Sequence, residues 1–458
     1  MARVIQVEEL VDNQKLGWFN FNLFIWSFLA MFGDGYDITA LAFAAPELVR
    51  EWGIEASSLG PAFSASLFGI LFGAPLMGFI GDRYGRKPAI IVSCVIYGLG
   101  TLAIVWATSL NQIIVLRFLT GIGIGGLMPN AISLNSELSP KRFRAMLTVL
   151  MFIGITLGGG TPSVISAWLL PHFGWEVIFL LGGLIPLIVA FCMLFTLPES
   201  VKYLALYPEK RKQLLRVARK LRKDLTINDD AEFVITRFDE ESKGLGLKQI
   251  YSNGLMLITP LLWICFGMVL MTMYLLNSWM PLLFEAKGLP SGQAALASGI
   301  FHVGGAIGGL LVSFLMDRFG FLVIAVLFLL GIPTIFILGL EGIPFPLLVF
   351  MSTLTGVMVM GVQFGNNAAA GLLYPTHIRS KGVGWALAVG RFGSILGPLI
   401  GGALIGLGIP MNQIFLAATL PMLIGGVAAL ILVRLSYIRF SALQLDDKPA
   451  SASAPDTG

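Results

Sequence analysis

The sequence has few charged, cysteine and histidine residues. Of its 458 residues, 12% are Asp, Glu, Lys or Arg, and only three are Cys and three are His. The cysteines Cys94, Cys192 and Cys265 fall within predicted apolar spans, which favours small buried side chains over disulfides or metal ligands. No zinc-ligand spacing occurs. We therefore expect neither a disulfide framework nor a metal or other cofactor.

Motifs of enzymatic catalysis are also missing. The sequence has no Gly-x-Ser-x-Gly elbow, no His-Glu-x-x-His and no phosphate-binding Gly-Lys-Ser/Thr motif. The glycines from Gly121 to Gly126 lie inside an apolar run without a preceding strand, which indicates helix packing. We expect no enzymatic activity and no ATP-driven pumping. The basic stretch from Lys210 to Lys223 indicates a solvated helix near anionic lipid, and we expect no nucleic-acid partner.

Apolar sequence in membrane-length runs dominates the chain. Hydrophobic residues make up 56% of it, and the mean hydropathy is +0.84, which a water-soluble globule of this length could not bury. Apolar runs of about 20 residues predict transmembrane helices, and they are too long for barrel strands. The twelve predicted spans are 17–42, 59–81, 88–107, 111–135, 145–169, 175–197, 255–284, 293–316, 321–340, 346–372, 382–406 and 411–435.

The distribution of Lys and Arg predicts the orientation of these spans. With the N-terminus in the cytoplasm, only Arg50 and Lys287 face outward, as the positive-inside rule requires. The basic residues that then face the cytoplasm are Arg83, Arg86, Lys87, Lys141, Arg142, Arg144, Arg318, Arg379 and Lys381. An even number of spans also places the C-terminus inside. Acidic residues in the first sixteen positions argue against a cleavable signal peptide.

A charged segment divides the chain into two similar halves. We predict an N-terminal six-helix bundle at 1–197, a cytoplasmic linker at 198–254, a C-terminal bundle at 255–440 and a cytoplasmic tail at 441–458. The run from Gly81 to Gly85 after the second span is echoed from Met316 to Gly320 after the eighth, a shift of 235 residues. The predicted fold class is thus all-α integral membrane, with two pseudo-symmetric six-helix bundles. Such duplicated carriers bind substrate near the membrane midplane.

Four ionisable residues lie within the apolar spans: Asp34, Asp37, Arg117 and Arg391. Each charge near the bilayer centre costs about 2.5–3.5 kcal/mol on insertion scales, so these residues must pair, face water or function. Asp34 and Asp37 are three residues apart and share a helical face. Two close carboxylates disfavour joint ionisation, which suits proton exchange in a symporter. The alternative is a permanent salt bridge from one of them to Arg117.

Arginine and histidine side chains are the other candidates for binding and coupling. We predict that Arg391 binds a substrate carboxylate through its planar guanidinium. Arg117 is predicted to bind the substrate anion or to pair with the first-span acids; the two arginine roles could be exchanged, and helix packing is the alternative for either. An imidazole can relay protons near neutral pH, so His302 in the eighth span is a coupling candidate as well as a packing residue.

The stretch from Gly78 to Lys87, Gly-Phe-Ile-Gly-Asp-Arg-Tyr-Gly-Arg-Lys, resembles the signature loop between helices two and three of the major facilitator superfamily. Within that superfamily, Asp34-Gly35-Tyr36-Asp37 resembles the D-G-[YF]-D motif of the aromatic acid:proton symporters. The resemblance implies a bacterial inner-membrane carrier that imports benzoate-like or hydroxybenzoate-like anions with protons. It also points to His302.

Charged residues at the cytoplasmic helix ends are predicted to form a gate. Charge-assisted hydrogen bonds there would hold the outward-facing state closed on the inside; the alternative is that the basic residues only set topology. The predicted gate residues are Asp82, Arg83, Arg86, Lys87 and Glu137, with Asp317 and Arg318 as a reduced echo in the second half. Glu137 could instead contact substrate.

Polar and aromatic side chains complete the predicted site. Tyr36 could contact an aromatic ring, and Asn366 and Asn367 in the tenth span could bind a ring hydroxyl, although polar residues also join helices to one another. We expect a monomer. Three other functions stay open: a carrier for a non-aromatic acid or sugar, a drug:proton antiporter, and a transporter-like sensor.

Overall fold

Twelve helices in the structure, a computed structural model, are long and apolar enough to cross a membrane. The structure describes residues 4–15, 17–222, 225, 227–229, 231–234, 250–251, 255–375 and 378–446, and the count refers to these. The predicted all-α membrane fold is confirmed. In chain order the elements are β1 (Val4–Gln6), α1 (Val7–Asp12), α2 (Trp18–Trp52), α3 (Leu59–Tyr84), α4 (Arg86–Ala103), α5 (Leu110–Leu138), α6 (Lys141–Trp168), α7 (Leu170–Phe173), α8 (Glu176–Thr196), α9 (Val201–Ala205), α10 (Arg211–Leu221), β2 (Glu232–Val234), α11 (Ile258–Ala286), α12 (Ser291–Phe319), α13 (Leu322–Gly339), α14 (Phe345–Leu373), α15 (Arg379–Gly406) and α16 (Met411–Asp446).

Several helices extend beyond the apolar runs that predict them. Helix α2 continues to Trp52 and α16 to Asp446, whereas the predicted spans end at residues 42 and 435. Hydropathy detects the part of a helix that suits hydrocarbon, but the backbone hydrogen bonds of a helix can continue into polar sequence. Short 3₁₀ turns at Ala56–Ser58, Ile104–Trp106 and Pro208–Lys210 lie between helices.

The two groups of six spanning helices pack in the same pattern. In the first group α2 packs on α6, α3 on α5, and α4 on α8; in the second, α11 packs on α15, α12 on α14, and α13 on α16. Each pair in the first group corresponds in order to a pair in the second. The internal echo in the sequence therefore reflects two bundles built on one plan.

Glycines allow the closest helix contacts in both bundles. A Cβ on Gly35 of α2 would overlap the carbonyl oxygen of Ile155 on α6, and a Cβ on Gly393 of α15 would overlap that of Gly267 on α11. These are equivalent pairs in the two bundles. Helix α2 is continuous at Gly35, and the missing side chain lets the two backbones approach.

The N-terminal segment and the linker form a small sheet that the sequence does not predict. Strands β1 and β2 pair in parallel, with Val4 opposite Glu232. Next to this sheet, the Gln14 side chain donates a hydrogen bond to the carbonyl of Leu138 over 2.8 Å. The backbone N–H of Lys141 donates to Asp12 over 2.9 Å. These contacts attach the chain start to the connection between α5 and α6.

Contacts between the two bundles concentrate at the end of the molecule away from β1. There the turn before α3 meets the end of α15, where Gly402 approaches the carbonyl oxygen of Ser57. The end of α6 meets the start of α12. Arg50 at the end of α2 lies 3.8 Å from Glu285 at the end of α11. This end is closed, and the space between the bundles lies on its other side.

Candidate functional site

A cavity of about 400 Å³ lies between the two bundles. Helices α2, α3, α5 and α6 line it from the first bundle, and α11, α12, α14 and α15 from the second. Its lining extends from the middle of the helices to Ile132 and Val383, towards the end that carries the N-terminus. The polar lining residues are Asp34, Thr39, Thr156, Tyr274, Asn277, His302, Gln363, Asn367, Arg391 and Ser394. Most of the remaining wall is aliphatic, aromatic or Met.

Asp34 and Arg391 bring opposite charges to this cavity from different bundles. Asp34 is 4% exposed, and its Oδ1 has no hydrogen-bond partner among the described residues. Arg391 is half-buried and forms no ion pair with any carboxylate in the described part of the chain. A charged group without a direct partner inside a membrane protein is costly. The cavity therefore holds one acid and one base that a ligand can reach.

Asp37 and Arg117 form a buried ion pair outside the cavity lining. Arg117 Nη1 lies 2.6 Å from Asp37 Oδ2 and also donates to the Asp37 carbonyl over 2.9 Å. The two side chains are 0% and 1% exposed. The hydroxyl of Thr101 on α4 donates to Asp37 Oδ1 over 2.5 Å. The structure thus places Arg117 on a first-span acid, away from a substrate in the cavity.

The two acids of α2 have different environments although three residues separate them. A spacing of three turns a helix through about 300°, so the side chains diverge by about 60°. Asp34 lines the cavity and Asp37 points to α4 and α5. Of the two acids, only Asp34 therefore lines the cavity. This differs from the expectation that the two carboxylates share a helical face and lie close together. Thr101 was missed, because nothing in the sequence distinguishes it from other span hydroxyls.

His302 lies at the contact between the bundles. Its ring lines the cavity and packs on α6, where a Cβ added to Gly159 would be 2.7 Å from His302 Nδ1. That nitrogen has no hydrogen-bond partner among the described residues.

The remaining predicted binding residues divide between the cavity and the surrounding protein. Asn367 and its neighbour Gln363 line the cavity. Asn366 is fully buried outside the lining, and neither of its amide atoms has a partner in the described chain. Tyr36 also lies outside the lining and donates its hydroxyl to the carbonyl of Ile178 over 2.8 Å, which joins α2 to α8. Asn277 was missed, although it is a lone amide in an apolar run.

Three of the predicted gate residues of the first bundle form one network. Arg86 pairs with Asp82 and lies 3.5 Å from Glu137, which also accepts the hydroxyl of Ser200. Glu199 accepts the backbone N–H of Arg86 over 3.0 Å. Burial raises the pKa of Glu199, and hydrogen bonds from backbone N–H groups oppose that rise. All these residues belong to the first bundle or the segment after it.

Other predicted gate residues make fewer contacts. Lys87 donates from Nζ to the carbonyl of Leu194 over 2.8 Å. Arg83 lies over the Tyr84 ring at 5.8 Å, and Arg318 over that of Phe319 at 5.4 Å. Within the described residues, neither Asp317 nor Arg318 forms an ion pair. Glu199 and Ser200 were missed, because a Pro-Glu-Ser sequence after a span resembles an ordinary loop.

Solved structures of other transporters share this fold. The inward-open xylose transporter of Escherichia coli is 16% identical and aligns with a TM-score of 0.68, covering 91% of this chain and 96% of that one. A bacterial homologue of the human lysosomal transporter Spinster, solved in an inward-facing conformation, gives a TM-score of 0.65 at 16% identity, covering 96% of this chain and all of that one. At these identities the likeness concerns the fold.

Curated relatives are more similar in sequence. A protein named 4-hydroxybenzoate transporter from Pseudomonas aeruginosa is 36% identical over 93% of this chain and 95% of its own length. A gallate transporter of Pseudomonas putida is 34% identical, covering 93% and 94%. A benzoate transport protein of Acinetobacter baylyi is 32% identical, covering 93% and 92%.

The family model described as Major Facilitator Superfamily matches residues 27–342 and 262–452. Together with the twelve apolar helices, this identifies a multi-pass membrane protein of a transporter family, not an enzyme. The predicted resemblance is confirmed: this chain belongs to the major facilitator superfamily.

Proposed function

We propose that this protein is a proton-coupled carrier that imports an aromatic or related organic carboxylate, of benzoate or hydroxybenzoate type, by alternating access. The observation that carries the proposal is the cationic Arg391, which lines a cavity between the two bundles and has no ion-pair partner among the described residues. Relatives named for 4-hydroxybenzoate, gallate and benzoate transport favour this substrate class.

Arg391 would bind the substrate carboxylate. A guanidinium stays protonated and offers two parallel N–H donors that match a carboxylate. The cavity of about 400 Å³ falls within the usual range for small-molecule sites, about 300–1,000 Å³. Apolar walls that include Phe364 would contact the ring, and the amides of Gln363 and Asn367 would bind ring hydroxyls.

Asp34 would carry the coupled proton. Without substrate, the negative charge of Asp34 would balance the positive charge of Arg391. A monoanionic substrate that binds Arg391 leaves Asp34 as excess negative charge, and protonation of its carboxylate restores neutrality at low local dielectric. This implies one proton for each monoanion. His302 would pass the proton to Asp34, while the Asp37–Arg117 pair would position α2.

The two ends of the molecule would open alternately. The closed end, at Ser57 and Gly402, would face the cell exterior, and its opening would accompany closure at the inner end. The first-bundle gate residues Asp82, Arg83, Arg86, Lys87 and Glu137 would stabilise inner closure through new contacts with Asp317 and Arg318 on the second bundle. We also propose that the protein is a monomer in the bacterial inner membrane with both termini in the cytoplasm. Its parts would be an N-terminal bundle at 1–197, a cytoplasmic linker at 198–254, a C-terminal bundle at 255–440 and a cytoplasmic tail at 441–458.

Uptake of radiolabelled 4-hydroxybenzoate into proteoliposomes tests this function. An inward proton gradient is expected to drive accumulation in wild type. Asp34→Asn, which mimics the protonated carboxylate, is expected to lose gradient-driven accumulation but to retain exchange of internal for external substrate. Glu209→Gln, at an exposed linker position, is the control and should behave as wild type.

Three outcomes decide between readings. Accumulation by Asp34→Asn at the wild-type level would show that the proton binds elsewhere. Uptake that ignores the gradient would remove the coupling and leave a facilitator. No uptake of 4-hydroxybenzoate, benzoate or gallate under any gradient would refute the aromatic substrate class while leaving the carrier fold intact.

A further inference from the structure

The cavity between the two bundles, lined by Asp34 and Arg391, is called the transport cavity below. A second cavity, of about 1010 Å³, lies beside the first bundle and shares no lining residue with it. The segment before α2, the start of α4, the end of α8 and the linker helix α10 enclose it. It therefore opens where membrane-spanning helices end and the linker begins. Among the described lining residues, Lys87 alone belongs to the proposed inner gate.

Positive charge dominates the described walls of this second cavity. Its cationic lining residues are Lys15, Lys87, Lys210, Arg216 and Lys220. Among the described lining residues the one carboxylate is Glu199, which accepts the backbone N–H groups of Arg86 and Lys87 at 3.0 and 3.3 Å. None of the five cations forms an ion pair within the described residues. The described walls thus carry five cations and one carboxylate, a clear excess of positive charge.

Two of these cations are held in place by neutral groups. Lys87 donates from Nζ to the carbonyl of Leu194 over 2.8 Å, and Lys210 donates to the Tyr203 hydroxyl over 2.6 Å. Arg216 and Lys220 are exposed and lie four residues apart on α10, so they project from one face of the helix. The charges converge without cancelling, which favours an anionic ligand.

Exposed aromatic residues border the cavity where helices leave the membrane. Trp18 at the start of α2 is 77% exposed, and Phe195 near the end of α8 is 76% exposed. Trp and other aromatic side chains concentrate at the depth of lipid headgroups. The border therefore places the cationic walls at headgroup level and opens the cavity towards acyl chains.

We propose that this second cavity binds the phosphate headgroup of an anionic glycerophospholipid. The lysines and Arg216 would contact the phosphate, and Trp18 and Phe195 would contact the upper acyl chains. Basic pockets at a membrane surface recognise anionic headgroups in this way. A soluble phosphate offers the same charge but would leave the apolar border without a partner. A bound lipid would attach α10 to the membrane surface.

Thermal unfolding of the full-length protein in dodecyl maltoside tests the proposal. The probes are dioleoyl phosphatidylglycerol, dioleoyl phosphatidylcholine and inorganic phosphate at equal concentration. Phosphatidylglycerol is expected to raise Tm by several degrees, because a ligand that binds only the folded state stabilises it. The other two are expected to raise it much less. Arg216→Gln/Lys220→Gln should lose most of the phosphatidylglycerol effect.

Lys212→Gln provides a matched control, since Lys212 is an exposed lysine of the same helix outside the cavity lining. It should keep the full shift in Tm, whereas Lys220→Gln should reduce it. Equal losses in these two single variants would refute a defined site in favour of diffuse attraction. Equal stabilisation by phosphatidylcholine would refute charge recognition, and equal stabilisation by inorganic phosphate would refute the lipid. None of these readings depends on transport.

Discussion

Two aspartates of one helix occupy contrasting sites. Both oxygens of Asp37 accept hydrogen bonds, from Arg117 and Thr101, whereas Asp34 Oδ1 has no partner among the described residues. Asp37 is thus bound within the first bundle, whereas Asp34 lines the cavity between the bundles. Under the proposed function, Asp34 is the acid that exchanges a proton with the cavity.

Removal of the Asp37 charge should destabilise the first bundle. In Asp37→Asn the guanidinium of Arg117 stays buried without its counter-charge, and breaking a buried pair in this way costs about 3–5 kcal/mol. We expect a clear fall in Tm and in the yield of monodisperse protein, measured by thermal unfolding in detergent. Asp82→Asn, which changes a largely exposed carboxylate, should lower Tm much less.

A double variant tests whether the unpaired charge of Arg117 causes the destabilisation, as opposed to a general sensitivity of α2 to substitution. Arg117→Met removes the second charge, so Asp37→Asn/Arg117→Met should be more stable than Asp37→Asn alone. A double variant that is less stable than either single variant would contradict the argument.

Arg391 should determine substrate affinity. Hydrogen bonds to charged groups contribute about 1.5–3 kcal/mol, so Arg391→Gln is expected to raise the KM for 4-hydroxybenzoate by about tenfold to a hundredfold. Initial rates of uptake into proteoliposomes measure this change. Arg434→Gln, at an exposed position of α16, removes a charge from the same bundle and should leave KM unaltered. An unchanged KM in Arg391→Gln would place the carboxylate elsewhere.

At the scale of helices, glycines set the distance between equivalent pairs in the two bundles. Without a hydrophobic driving force in lipid, helices associate through close packing of small residues. Gly393 permits that contact between α15 and α11, and Gly35 permits it between α2 and α6. Because these pairs line the transport cavity, their spacing also sets its width.

Gly393→Ala should therefore disturb the second bundle. Its Cβ would overlap the backbone of Gly267, and backbone cannot move aside as a side chain can. We expect a lower Tm and a lower rate of 4-hydroxybenzoate uptake. Gly384→Ala is the matched control on the same helix, because no atom lies within 4 Å of the Cβ it would add. Alanine there should maintain or raise Tm through better helix propensity.

Sequence patterns predict the helices better than the contacts between them. Apolar length identifies all twelve spans because lipid requires every backbone group to be satisfied within a helix. The partner of Arg117 could not be chosen between Asp34 and Asp37, because helix rotation depends on packing between distant parts of the chain. For the same reason, the contact of Thr101 with Asp37 could not be predicted. Glu199 was missed because its Pro-Glu-Ser sequence resembles an ordinary loop. The β1–β2 pairing was missed because three-residue strands carry no measurable periodicity.

At the scale of the whole molecule, one end is closed between the bundles. The contact of Ser57 with Gly402 and the 3.8 Å separation of Arg50 from Glu285 lie at this end. Arg50 also pairs with Glu47 over 2.5 Å and its side chain is 52% exposed. Exposed pairs contribute about 0.2–1 kcal/mol, so the ion pair can bias the closed state only modestly.

Loss of the contact between Arg50 and Glu285 should favour opening of this closed end. We expect Glu285→Gln to speed labelling of Ser57→Cys by an impermeant maleimide, by at most about fivefold, since about 1 kcal/mol corresponds to that factor. Cys192 is replaced in all samples because it is partly exposed, whereas Cys94 and Cys265 are buried and can be kept. Glu47→Gln, which leaves the contact between bundles intact, should have a smaller effect. Slower labelling in Glu285→Gln would contradict an outer lock.

The balance of one acid and one base in the transport cavity has an energetic consequence. If a monoanion enters with a single proton, the loaded carrier moves no net charge across the bilayer. Under the proposed coupling, membrane voltage then does no work on uptake, and only the difference in pH concentrates the substrate. The ceiling is a tenfold accumulation of the anion for each unit of pH difference, so a cell at neutral external pH would gain little from the carrier beyond equilibration.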